Sequence, residues 1–174
     1  TFIPLPKRPS PSMVIRLPLN TRTLWHIINL MAKTKTEFLG EKDGVKIYFV
    51  LYREPKTIEN SLREVAKLHA KKQYWVVYQP TNHTDLKKSF QKLIKVLNLA
   101  HRAIITDVAS FGETGDLKPT AKELALAAGG PKTTYVGGEP INAANFVKRN
   151  TEEGTIVLVV GGIDARVVSE GLLS

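Results

Sequence analysis

Residues 155–164 read TIVLVVGGID, and this stretch decides the fold. Its first six residues are β-branched or aliphatic with no charge among them. Such a run is too short for a helix core and fits a strand buried on both faces. Gly161-Gly162 then breaks the pattern, and apolar spacing near 165–173 predicts a helix. A strand, a glycine turn and a helix in that order make a parallel α/β unit.

The same alternation appears on the N-terminal side. Residues 45–52 (VKIYFVLY) follow the turn signal Lys42-Asp43-Gly44 and predict a strand. Residues 57–72 carry Ile58, Leu62, Val65 and Leu68 near a 3.6 period, with Thr57 as the expected N-cap. Residues 74–78 (YWVVY) and 103–108 (AIITDV) predict further strands, and 133–136 a weaker one. Residues 84–97 place Leu86, Phe90, Leu93, Ile94 and Leu97 on one stripe with lysines opposite. Helices are also expected at 120–128, stopped by Gly129-Gly130, and at 142–149. The implied fold class is α/β: a three-layer, Rossmann-like, mostly parallel sheet covered on both faces.

The charge is unevenly placed. The chain has 174 residues, 25 basic and 16 acidic side chains, and no cysteine. Six of the basic residues and no acid fall in residues 1–36, with five of the ten prolines. Two segments follow: a basic, proline-rich N-terminal extension, 1–36, and a nearly neutral α/β domain, 37–174. Residues 1–18 are expected to be an extended arm, since proline fixes φ and removes a donor. Lys7, Arg8, Arg16 and Arg22 are its candidate polyanion contacts. A solvated tail and an organellar presequence remnant are the other readings of the same composition. The lack of cysteine excludes disulfides, thiolate metal sites and cysteine nucleophiles. The longest apolar runs are far below the roughly 20 residues that span a bilayer, so no membrane partner is expected. A cytoplasmic or organelle-interior setting follows.

In a parallel sheet, ligands bind beyond the carboxyl ends of the strands. Here those ends carry Tyr52-Arg53-Glu54-Pro55, Gln79-Pro80, Thr106-Asp107 and Gly161-Gly162-Ile163-Asp164. Ordinary turn chemistry explains the same residue types. His26, His69, His83 and His101 are scattered, without metal-ligand spacing. His83, in the loop after residues 74–78, is the best placed of them for a ligand, whereas His69 reads as helix surface and His101 as a strand entrance. Asp107 and Glu113 bracket a loop, where they orient a basic group or a metal, or cap the loop. No P-loop pattern and no nucleophile–base pair is present, so neither a catalytic residue nor a metal site is assigned.

The ordered strand ends resemble the C-terminal domain of the Mur ligases, in particular of the alanine-adding members. The stretches that carry the resemblance are 38–45, 50–55, 79–85, 107–113 and 160–164. Tyr52, Pro55, Gln79, Pro80, Thr84, Asp107, Glu113, Gly161 and Asp164 match the family's motifs. Val50-Leu51 replace an acidic pair, Asp85 stands where arginine is expected, and Ile163 replaces a glycine-rich step. The resemblance implies a sheet with one antiparallel strand, in a domain that closes over ATP and an amino acid. Tyr52, Gln79, His83, Asp107, Glu113, Gly161 and Asp164 would then line the cleft between domains. The family reaction joins an amino acid to a carboxylate through an acyl phosphate, in cell-wall precursor synthesis. It needs ATP and Mg, bound with upstream ligase domains in cis, so this domain by itself is expected to be inactive and to hold no cofactor. The alternative is a ligase-derived pseudoenzyme, a binding or scaffold module whose basic arm contacts RNA or a ribonucleoprotein, in an organelle for example.

Overall fold

The computed structural model describes residues 36–109, 112–130 and 132–174. The arm residues Lys7, Arg8, Arg16 and Arg22, and the extended conformation expected for 1–18, lie outside the described residues.

Among the described residues six strands form one sheet: β1 (Glu37–Lys42), β2 (Val45–Leu51), β3 (Tyr74–Tyr78), β4 (Arg102–Thr106), β5 (Thr133–Val136) and β6 (Ile156–Gly161). Their spatial order is β1-β2-β6-β3-β4-β5. β1 and β2 form an antiparallel hairpin, and the other neighbours are parallel. The hairpin turn places Asp43 and Gly44 at φ 50° and 74°, the left-handed pair that a two-residue loop requires. β6 comes last in the chain yet sits between β2 and β3, and all six of its residues are buried. The apolar run at 155–160 is thus the middle of the sheet.

Helices α1 (Pro55–Leu68), α2 (His83–Leu97) and α3 (Ala121–Ala128) cover one face through Ile58, Leu62, Val65, Leu86, Leu93 and Leu124. Helices α4 (Pro140–Asn150) and α5 (Arg166–Leu173) cover the other through Ala143, Val147, Val168 and Leu172. Each fully buried Leu, Ile or Val stabilises the fold by roughly 1.5–3 kcal/mol relative to exposure. The three-layer, mostly parallel α/β expectation holds.

Several boundaries differ from the sequence reading. α1 starts two residues before Thr57, because Pro55 fits the first helical position, where no N–H is needed. The N-cap is Glu54, and Thr57 Oγ1 instead accepts from the Glu54 N–H at 3.3 Å. α1 ends at Leu68 rather than near 72, and Lys71 takes φ 62°. His69, read as helix surface, is half-buried and has a structural partner. It sits at the helix C-cap, where its Nε2 lies 2.6 Å from the Tyr48 hydroxyl. The last helix is preceded by a short 3-10 turn, Ile163–Ala165.

Candidate functional site

β6 lies at a reversal of the connections. The helices after β2 and β3 pack on one face, whereas the helix after β6 packs on the other. Chains diverging to opposite faces leave a crevice between neighbouring carboxyl ends. Gly161-Gly162 stands at that point, flanked by Tyr52 and Gln79. The Tyr52 N–H donates to the Gly161 carbonyl at 2.8 Å, and the Gln79 N–H to the Val160 carbonyl at 2.9 Å. The two strand exits are therefore fixed on either side of the glycines.

Gly161 serves close packing. A β-carbon there would fall 2.5 Å from the Ala165 β-carbon and 3.1 Å from that of Gln79. At Gly162 the nearest atom would be Thr81 Cγ2 at 3.7 Å, so Gly162 has room for a side chain. Of the pair, Gly161 lets the chain turn tightly into the 3-10 segment. Asp164, in that segment, is exposed.

Tyr52 is buried, and its ring meets Tyr78 edge-on at 5.0 Å between centroids. Burial raises the Tyr52 pKa, opposed by hydrogen bonds with Tyr78 and Ser89. Burial pushes Tyr78 well above the ordinary tyrosine value. Both hydroxyls thus stay protonated at neutral pH and act as hydrogen-bonding groups only.

The two acids of the 107–113 loop bind protein groups. Asp107 accepts from the Tyr135 hydroxyl through Oδ1 and from the Gly138 N–H through Oδ2, the latter at 2.7 Å. It ties the end of β4 to the loop after β5. Glu113 accepts from the His83 N–H at 2.9 Å, holding its loop against the start of α2. Asn82 completes that start by accepting from the Asp85 N–H at 2.7 Å, an N-cap that turns His83 from the expected loop residue into the first residue of the helix. Of the roles open to these acids, capping and bracing are the ones this geometry fills. Tyr135 was not legible as a partner, since it lies 28 residues away on the weakest strand.

The 79–83 loop carries unmet hydrogen-bonding capacity. Gln79 Oε1 and His83 Nδ1 are both buried without a partner among the described residues. Such groups cost roughly 1–3 kcal/mol each until a donor or acceptor reaches them. Among the described residues no group of three His, Asp or Glu is arranged to hold a metal ion, and no helix is long and apolar enough to cross a membrane.

The seven predicted cleft residues therefore divide. Tyr52, Gln79 and Gly161 meet at the crevice. His83 and Glu113 line a separate recess of about 390 Å³ at the start of α2. Asp107 is turned toward β5, and Asp164 faces solvent.

No family model matches the chain. It is 31% identical over 144 residues to a UDP-N-acetylmuramate–L-alanine ligase of Caldicellulosiruptor saccharolyticus, covering 82% of this chain and 31% of that one. A ligase of the same name from Alkaliphilus metalliredigens is 29% identical over 140 residues, with 79% and 30% covered. The chain thus spans about a third of the length of these relatives. Among solved structures, a murein peptide ligase from Psychrobacter arcticus aligns with TM-score 0.63 at 14% identity, covering 81% of this chain and 29% of that one. A UDP-N-acetylmuramate–alanine ligase from Thermotoga maritima aligns with TM-score 0.58 at 19% identity, covering 78% and 28%. The sheet is a Mur-ligase-like sheet, and the resemblance read from the ordered strand ends holds.

Proposed function

We propose that this chain is part of a Mur-type, ATP-dependent amino-acid ligase of cell-wall precursor synthesis, working in the cytoplasm. Residues 37–174 are the domain that closes over the nucleotide and the incoming amino acid. The observation that carries this reading is the crevice beside β6, where Tyr52, Gln79 and Gly161 meet at the carboxyl ends of adjacent parallel strands. Their order along the chain is the order the family resemblance requires.

The chemistry of the crevice and of the recess beside it supports a binding role within a larger enzyme. Gln79 Oε1 and His83 Nδ1 are groups for a ligand or a neighbouring domain to satisfy once the loop adjusts. The cradle for ATP phosphates and the ligands for Mg²⁺ come from ligase domains in cis, and these supply the phosphoryl transfer that activates a carboxylate. The domain alone is not self-sufficient, and Asp85, where the family carries arginine, does not supply the bidentate contact that arginine would give a phosphate or carboxylate. The test is the natural reading frame upstream of Thr1, with ATP binding measured on its full product. An in-frame P-loop domain on which ATP binding depends is the expected result. A frame opening at Thr1 without one sinks the proposal.

A second reading is a ligase-derived pseudoenzyme that serves as a scaffold, its basic arm contacting RNA or a ribonucleoprotein. It is favoured by the engagement of Asp107 and Glu113 in hydrogen bonds within the protein. On this reading, deleting residues 1–18 weakens RNA binding, and the loss shrinks as salt rises. RNA binding that ignores both the deletion and the salt sinks it.

A further inference from the structure

The groove between α1 and α2 collects positive charge from two helices. It measures about 660 Å³, within the range of small-ligand sites. Lys88, Lys92 and Lys95 follow the i, i+4, i+7 spacing that makes one stripe along α2, and all three line the groove. Lys56 faces them from the first turn of α1. All four are exposed, and among the described residues none forms an ion pair with a carboxylate. Buried Tyr52 and half-buried Ser89 lie between the two helices.

Three acids also line the space, and two of them are engaged. Glu59 pairs with Arg63 at 2.7 Å, and Asp85 accepts from the Asn82 side chain at 2.9 Å. Glu54 is exposed at the N-cap of α1. Beyond that cap, the first turn of α1 has no acid and carries Lys56. A cation there stands at the positive end of the helix dipole, where an anion is the favoured occupant. Lys56, Lys88, Lys92, Lys95 and Arg53 outnumber Glu54, Glu59 and Asp85 around the concavity, so its lining is net positive and favours an anion. A local choice that works against the helix it sits on is a mark of function.

We infer that this groove binds a small anion bearing two or more phosphate groups, held by Lys56 from α1 and by Lys88, Lys92 and Lys95 from α2. A volume in the small-ligand range is the ground for choosing a compact ligand over an extended strand. The groove meets the crevice at Tyr52 and runs from there along the helical flank, and its four lysines play no part in the ligase reading.

Calorimetric titration of the full chain with sodium tripolyphosphate at low salt tests the inference. Saturable binding is expected, and K88Q/K92Q is expected to weaken it by about tenfold or more, since two charge-assisted contacts are lost. The control K67Q/K122Q removes the same net charge away from the groove and is expected to change the affinity by no more than about twofold. Equal weakening by both pairs, or no saturable heat, overturns the proposal. A uridine oligomer of about twelve nucleotides is titrated in parallel. If K88Q/K92Q weakens oligomer binding more than tripolyphosphate binding, the groove is a nucleic-acid surface and the small-anion proposal falls. All four lysines are exposed, and circular dichroism checks that each variant folds.

Discussion

Asp107 and Tyr135 are bonded side chain to side chain, the carboxylate of β4's exit accepting from a hydroxyl on β5. Asp107 Oδ2 also accepts from the Gly138 N–H, so one carboxylate holds two segments. An acid that the family resemblance places in a ligand cleft here braces the sheet edge.

Replacing it has a predictable cost. D107N keeps the size but loses the charge and turns one of the two acceptor oxygens into a donor, and about 1–3 kcal/mol of stability is expected to go. Y135F removes one donor and is expected to cost less, about 1 kcal/mol. Urea unfolding of both single variants and the double variant gives the coupling between them. A coupling near zero would show that the contact contributes nothing.

Gly161 and Gly162 separate packing from ligand approach. G161A forces a β-carbon against Ala165 and is expected to cost about 1–3 kcal/mol through overpacking. G162A meets nothing closer than 3.7 Å and is expected to stay within about 0.5 kcal/mol of the parent. Thermal unfolding ranks the two, and the reverse order would refute the account of the turn.

The start of α2 is held by Asn82 and Glu113 together. N82A removes the acceptor for the Asp85 N–H and is expected to destabilise the chain by about 1 kcal/mol, the usual value of a cap. E113Q weakens the bond to the His83 N–H and is expected to cost about 1 kcal/mol at most. Hydrogen exchange at the His83 and Asp85 amides is the direct readout, and unchanged protection in both variants would count against this picture.

Tyr52 and Tyr78 have raised pKa values through burial, and Tyr135 through its bond to Asp107. The folded chain therefore keeps protons that the unfolded chain releases near pH 10. Their contribution is present in full below about pH 10 and is lost as pH rises through the folded values. Stability is expected to fall above pH 10, with part of the phenolate absorbance at 295 nm delayed until unfolding. Y78F should shrink that delayed part. A titration in which all five tyrosines ionise near 10 would contradict the burial.

The sequence reading located the parallel strands, because burial is written in composition, but it named no strand at β1, where no residue is buried. Residues 74–78 match β3 at both ends, and the apolar run at 155–160 differs from β6 by one residue at each end. Helix starts were less legible where proline stood at the first helical position, as at Pro55 and Pro140. A proline reads as a break until the missing N–H is recognised as one that the first turn does not need. The roles of Asp107 and Glu113 were not legible at all, since their donors sit 28 to 31 residues away. The lysines of α2 showed as the polar side of an amphipathic helix. Their meeting with Lys56 is a product of α1 packing beside α2, and no periodicity within one segment encodes it.

The late position of β6 has a consequence for synthesis. As the chain leaves the ribosome, β1 with β2 and β3 with β4 and β5 emerge first, as two half-sheets. Neither can pair with the other directly, because the strand that belongs between them has not yet been made. Each half presents an open edge, the feature that invites wrong pairing with other chains. Residues 156–161 then close both edges in one event. A nascent chain arrested before residue 155 should accordingly engage chaperones and aggregate. Extending the chain through β6 and the helix that covers it, to residue 174, should abolish both behaviours.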